Sequence, residues 1–133
     1  MKLLHTALLA LPLFSLSGGV SAEWIKFQEN TEFIGYADSA YSRSGNFLKV
    51  WVMRSYKSPR KIKGMMFSST KEHAEYDCTG DRFRLLTAYW FPKTMGGGIP
   101  VDQVNIKEGL PWVSLPPDSD GKQMLEGFCS LLK

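Results

Sequence analysis

The chain has 133 residues, with 16 Lys and Arg against 13 Asp and Glu, a formal charge of +3, and 44% hydrophobic residues. That near balance excludes a partner chosen by bulk charge, and the lack of internal repeats or low-complexity segments excludes a solenoid or a biased tail. The length suits one domain with one modest core, which buries only about two thirds of its unfolded surface.

Residues 1–22 read as an export leader. Lys2 supplies positive charge, Leu3 to Leu16 an apolar stretch, and Val20-Ser21-Ala22 a small-residue cleavage site ahead of Glu23. The apolar run ends in Gly18 and Gly19 and is shorter than the roughly 20 residues of a spanning helix. No cysteine follows it, which closes the acylation route used by lipoproteins. The expectation is a mature domain of residues 23–133, exported to the periplasm or the cell surface, with no integral membrane segment after cleavage.

Trp24 to Gln28 then forms a short strand with Ile25 and Phe27 on one face, and Phe33 to Asp38 continues as β. Ser39 to Ser44 is an irregular polar connection to the Gly45-Asn46 turn. Phe47 to Tyr56 has the strongest strand pattern, with Leu48, Val50 and Val52 on one side and Phe47, Lys49, Trp51 and Met53 on the other. Both faces carry large apolar groups, which implies cover on each. Ser58-Pro59 stops this strand, because proline brings no N–H to a ladder.

Met65 to Cys78 is a long strand, bulged near Met65, Met66 and Phe67, with Ala74, Tyr76 and Cys78 facing one way and His73, Glu75 and Asp77 the other. Thr79-Gly80-Asp81 turns it into a hairpin partner running to about Phe91, in which Phe83, Leu85, Thr87 and Tyr89 share a face. Pro92 to Pro111 is a long loop with a short extended piece around Val101 to Ile106, a kind of segment that is often functional or mobile. Trp112 to Leu115 is a last short strand, closed by Pro116-Pro117. Asp118 or Ser119 caps a terminal helix whose Leu125, Phe128, Cys129 and Leu132 form an apolar stripe at i, i+3, i+4 and i+7.

Cys78 and Cys129 are the whole cysteine inventory, and export delivers them to an oxidising compartment, so they pair as a structural bridge. The helix then lies across the core face of the sheet, over Leu48, Val50, Val52, Ala74 and Tyr76.

The order Ala22-Glu23-Trp24, Lys49-Val50-Trp51-Val52, Glu75-Tyr76-Asp77-Cys78, Asp81-Arg82-Phe83-Arg84-Leu85-Leu86, Trp112, Pro116-Pro117 and a helix carrying Cys129 resembles the surface adhesin protein E-like family. The resemblance spans essentially all of residues 23–133. It implies an α+β fold, an antiparallel sheet of about five to six strands with a C-terminal helix packed on one face. It also implies an adhesin-like role in the envelope of a Gram-negative bacterium, with haem as a conceivable ligand and dimers as a conceivable state. The chain departs from the adhesin type of that family in lacking a lipid-attachment cysteine.

Three groups of residues are candidate sites. Lys57, Arg60, Lys61 and Lys63 cluster around Pro59 and suit an acidic glycan or protein, although lysines also simply keep a hairpin end soluble. His73, with Glu75 and Asp77 about 7 Å apart along one face, is the single imidazole available to a metal or haem in the expected mature domain, since His5 lies in the leader. Phe47, Trp51 and Met53 offer a second apolar face to another subunit, unless the 92–111 loop covers it. No Gly-x-Ser-x-Gly elbow occurs, and bridged cysteines supply no thiolate, so no catalytic residue is assigned. No aromatics interleave with the basic run, which argues against nucleic acid. The expected function is non-catalytic binding of a protein or glycan, with no cofactor required. The alternative is a homodimeric assembly protein of the periplasm, and a haem- or metal-binding protein or a hydrolase comes behind both.

Overall fold

The computed structural model describes residues 23–133, and the alternating segment after Gly45-Asn46 lies at the centre of one antiparallel sheet. The elements are β1 (Trp24–Glu29), β2 (Phe33–Asp38), β3 (Ser42–Ser44), β4 (Phe47–Ile62), β5 (Met65–Asp77), β6 (Arg82–Phe91), β7 (Asp102–Asn105), β8 (Val113–Ser114) and α1 (Asp120–Leu131), with a 3-10 turn at Thr94–Gly96. The sheet order is β1-β2-β4-β5-β6-β7, with β3 added to β4 and β8 to β6. The class is α+β as expected, but the sheet has 8 strands rather than five or six. The expected leader and its cleavage site lie outside the described residues. Among the described residues no helix is long and apolar enough to cross a membrane.

Leu48, Val50 and Val52 of β4, Ala74 and Tyr76 of β5 and Ala37 of β2 make the core face, and Leu125 and Phe128 of α1 pack onto it. Ser119 is the helix cap, its hydroxyl accepting from the Lys122 N–H at 3.2 Å. Cys78 and Cys129 are bonded, with their Cα atoms 5.8 Å apart, and so tie the last turn of α1 to the end of β5. The segment from Ser39 to Ser44 is not irregular throughout, because β3 pairs with β4 and brings Arg43 to the end of the helix. Its guanidinium donates to the carbonyls of Cys129 (2.9 Å) and Leu132 (2.7 Å), placing a cation at the negative pole of the helix dipole.

Two irregularities correct the expected strand faces. β4 continues past Pro59 to Ile62: its ladder with β5 lapses between Ser55 and Arg60, and the proline falls in the lapse, where no donor is required. The bulge expected near Met65 to Phe67 therefore sits on the partner strand. Lys63 and Gly64, with φ of 49° and 77°, close this hairpin with the two left-handed residues of a tight turn. In the next hairpin, Ala74 pairs with Leu85 but His73 with Thr87, so Leu86 is an extra residue. A one-residue slip moves every later side chain to the opposite face. Phe83 and Leu85 stay on the helix side, whereas Thr87, Tyr89 and Phe91 share the other face with His73, Lys71 and Ser69.

Candidate binding face

The face of the sheet away from α1 divides into three zones, two of them covered by the segment that follows β6. That segment is laced along the β6 edge by Val101 N–H to Trp90 O (2.8 Å), Ile106 N–H to Leu86 O (2.9 Å), Leu110 N–H to Leu85 O (2.9 Å) and Leu115 N–H to Asp81 O (2.8 Å). The extended piece expected around 101–106 is β7, paired with β6.

At one end of the face the 3-10 turn folds over the strands. Met95 N–H donates to Ser55 Oγ (3.1 Å), Gly96 N–H donates to Ser69 Oγ (2.8 Å), and Ser69 Oγ donates to Lys93 O (2.5 Å). Met53, the neighbour of this zone on β4, is 0% exposed. It shares the face with Trp51 as expected, but offers no surface to a partner.

At the other end Trp112 lies over two guanidinium groups, 4.4 Å from Arg82 and 4.5 Å from Arg84, with the Phe47 ring 5.9 Å away. Arg82 donates to Asp77 Oδ2 (2.9 Å) and Arg84 to Glu75 Oε1 (2.7 Å), and both carboxylates are buried. Asp77 also accepts from the Gly80 N–H (3.0 Å), and together with Arg82 this holds its carboxyl below the ordinary carboxylate range. A Cβ at position 80 would collide with the hydrogen-bonded Asp77 carboxylate, so this turn favours glycine. Glu75 and Asp77 thus alternate on one face with His73 as expected, but they are engaged by arginines under Trp112 rather than solvated. The Asp77-Cys78, Arg82, Arg84 and Trp112 pattern behind the sequence resemblance is therefore an architectural cluster.

The middle zone is uncovered. Trp51 lies 4.7 Å from His73 with the rings 7° from parallel, and 6.2 Å from Tyr89 at 17°. Lys71 reaches between Trp24 and Phe91, its ammonium 5.4 Å from each ring centroid. Trp24, Asp38, Trp51, Lys71, Tyr89, Phe91 and Pro100 line an open depression of about 360 Å³. Trp51 and its surroundings were legible in the alternation of β4. Tyr89 reads in the sequence as sharing the face of Phe83 and Leu85, and Trp24 and Lys71 carry no local signal, because only the sheet order brings β1 and β6 side chains to one place.

The four basic residues are elsewhere, on the β4–β5 hairpin and outside this lining. Lys57 pairs with Glu29 (3.4 Å), Arg60 with Glu32 (2.9 Å) while lying over Tyr56, and Lys63 with Asp102 (3.1 Å). Lys61 is exposed. Three of the four charges are thereby locally balanced, in surface pairs of the kind that contribute little to stability.

Among the described residues no group of three His, Cys, Asp or Glu side chains is placed to hold a metal ion. The His73 imidazole is held below its ordinary pKa of 6.5, first by burial and then by the charge of Lys49, with Glu75 opposing. The unfolded chain therefore takes up this proton before the folded one does. Stability contributed by neutral His73 is fully present above about pH 6.5 and is lost as pH falls through the lowered value. Melting temperature measured from pH 7.5 down to pH 5 is expected to fall more steeply for the native chain than for His73→Gln. Parallel curves would remove His73 from the acid response.

The sequence matches the family described as surface-adhesin protein E over residues 24–130. The chain belongs to that family. The match covers nearly all of the described residues, so the membership rests on the whole domain and not on one motif. No curated protein and no solved structure matches the chain. In this surface-adhesin protein E chain the bridged helix, the Trp112 cluster and the sheet form the architecture, and the middle of the second face is left uncovered by it.

Proposed function

We propose that this surface-adhesin protein E chain is an exported, non-catalytic binding protein whose ligand seats in the uncovered middle of the second sheet face. The observation that carries this reading is the unequal cover of that face. The 92–115 segment closes both ends, and leaves between them a depression lined by Trp24, Trp51, Tyr89 and Lys71. Burial there would remove apolar surface from water at rings that are already held in place, so little ordering entropy is lost on binding. A concave site with aromatic walls and few polar groups is the usual form of a recognition pocket. The family description supports an adhesin-like role at the cell surface.

The experiment is a pull-down by the purified protein from envelope fractions and from host serum, repeated with Trp51→Ala. Truncating a central aromatic anchor commonly costs 2 kcal/mol or more in binding, about thirtyfold. Capture is expected to fall by at least tenfold, while charge reversal at Lys57, Arg60, Lys61 and Lys63, which lie outside the depression, leaves it within about twofold. Undiminished capture by Trp51→Ala would end the reading.

Homodimeric assembly is the second reading, and Phe47 favours it, being 41% exposed at the border of the Trp112 cluster. Light scattering on the purified protein decides it, since a monomer at the concentrations used for binding removes the dimer.

A further inference from the structure

Lys71 is a positioned charge. A Cβ at position 96 would come 2.5 Å from Lys71 Cε, so the lysine stem passes against the bare backbone of Gly96, whose φ of +71° also suits glycine. Its ammonium then lies between Trp24 and Phe91, and among the described residues no carboxylate stands within ion-pair distance of it. Lys49 is exposed on the same face, at the other side of Trp51. The one carboxylate in the lining, Asp38, accepts the Ala40 N–H through Oδ1 (2.8 Å).

These features select a ligand chemistry. A cationic ligand is disfavoured, because the space between the rings already holds an ammonium and Lys49 adds a second like charge. A bare inorganic anion would use Lys71 but none of the aromatic walls. An occupant that uses both combines an apolar C–H face with an anionic group such as a carboxylate. The volume, near the lower end of the roughly 300–1,000 Å³ of small-molecule sites, suits one or two sugar rings.

Resting on the reading of this depression as the binding site, the geometry points to a carboxylate-bearing sugar, a sialic or uronic acid unit of a glycan, as its ligand. The sugar C–H groups, slightly positive, meet the electron-rich ring surfaces of Trp24, Trp51 and Tyr89. The carboxylate accepts charge-assisted hydrogen bonds from Lys71, and Asp38 accepts from sugar hydroxyls.

The test is a titration of tryptophan emission, using protein produced from the full chain, with 3′-sialyllactose, a hyaluronan tetrasaccharide, neutral lactose and a hexaglutamate peptide. At least one acidic sugar is expected to saturate the signal at a concentration tenfold or more below lactose, and which of the two does so identifies the source. Lys71→Met reduces that preference to the lactose level with an unchanged thermal melt, and Lys71→Arg retains it. If Lys71→Met does not fold, salt dependence takes its place: raising the salt weakens the acidic sugar and not lactose. Failure of both acidic sugars, equal binding of lactose or hexaglutamate, or indifference to both Lys71→Met and salt overturns the assignment. If capture from envelope or serum is still lost in Trp51→Ala, only the sugar is wrong. If capture persists in that variant, the binding face itself is wrong.

Discussion

Replacing Cys78 and Cys129 together by serine is expected to lower the melting temperature of the protein by about 20 °C. The bridge closes a loop of 51 residues, for which the chain-entropy relation gives about 4 kcal/mol. A domain near this size loses roughly 4–8 °C for each kcal/mol. The native contacts around the bridge compensate only partly. Arg43 still holds the carbonyls of Cys129 and Leu132, and Tyr41 donates to Lys133 O at 2.9 Å, so the helix end keeps polar anchors when the sulfurs are gone. The double variant should therefore remain folded at room temperature and melt early, and the native protein should shift by a similar amount when scanned with a reductant. A shift under 5 °C in both would show that the bridge constrains little and that the polar anchors carry the helix.

The second large effect is expected at Phe128. Its ring is 3% exposed and meets Phe27 of β1 edge-on at 4.9 Å and Tyr76 of β5 at 5.5 Å. Phe128→Ala removes a large ring from a site that collapses poorly, because the sheet beneath is continuous and the neighbouring Cys129 fixes the helix at its present height. A cost of about 3–5 kcal/mol follows. Against a total of about 5–15 kcal/mol this is a large fraction, and the midpoint of urea unfolding reads it directly. Leu131→Ala is the matched control, three residues on but 77% exposed, and should change stability by no more than about 0.5 kcal/mol. Similar losses at the two positions would contradict the orientation of α1.

Local periodicity was enough to recover the helix and its stripe, the core row of β4 and the hairpin from β5 to β6. Each of these is written in neighbouring residues, as with Leu125, Phe128 and Cys129 on one side of α1. A strand of three residues is too short to show alternation, so β3 reads in the sequence as an irregular connection; β7 reads only as an extended piece of a long loop, and β8 is the short strand expected at Trp112 to Leu115. Pro59 was read as a terminator because a missing donor is costly in a ladder, but the register lapse after Ser55 removes the need for one. Leu86 is the more instructive case. Nothing around it announces an inserted residue, yet the insertion turns Thr87, Tyr89 and Phe91 away from the helix and makes the aromatic depression. Trp112, stacked on arginines 28 and more positions earlier in the chain, has no local signature at all.

Glu23 lies at the edge of the sheet, its N–H donating to Ser39 Oγ at 2.9 Å, and the very next residue, Trp24, is a wall of the proposed ligand depression. Whatever is joined to that nitrogen departs from the doorway of the site. Purification tags belong on neither side of this doorway, and a fusion at the front of the molecule would be expected to mask recognition while leaving the fold intact.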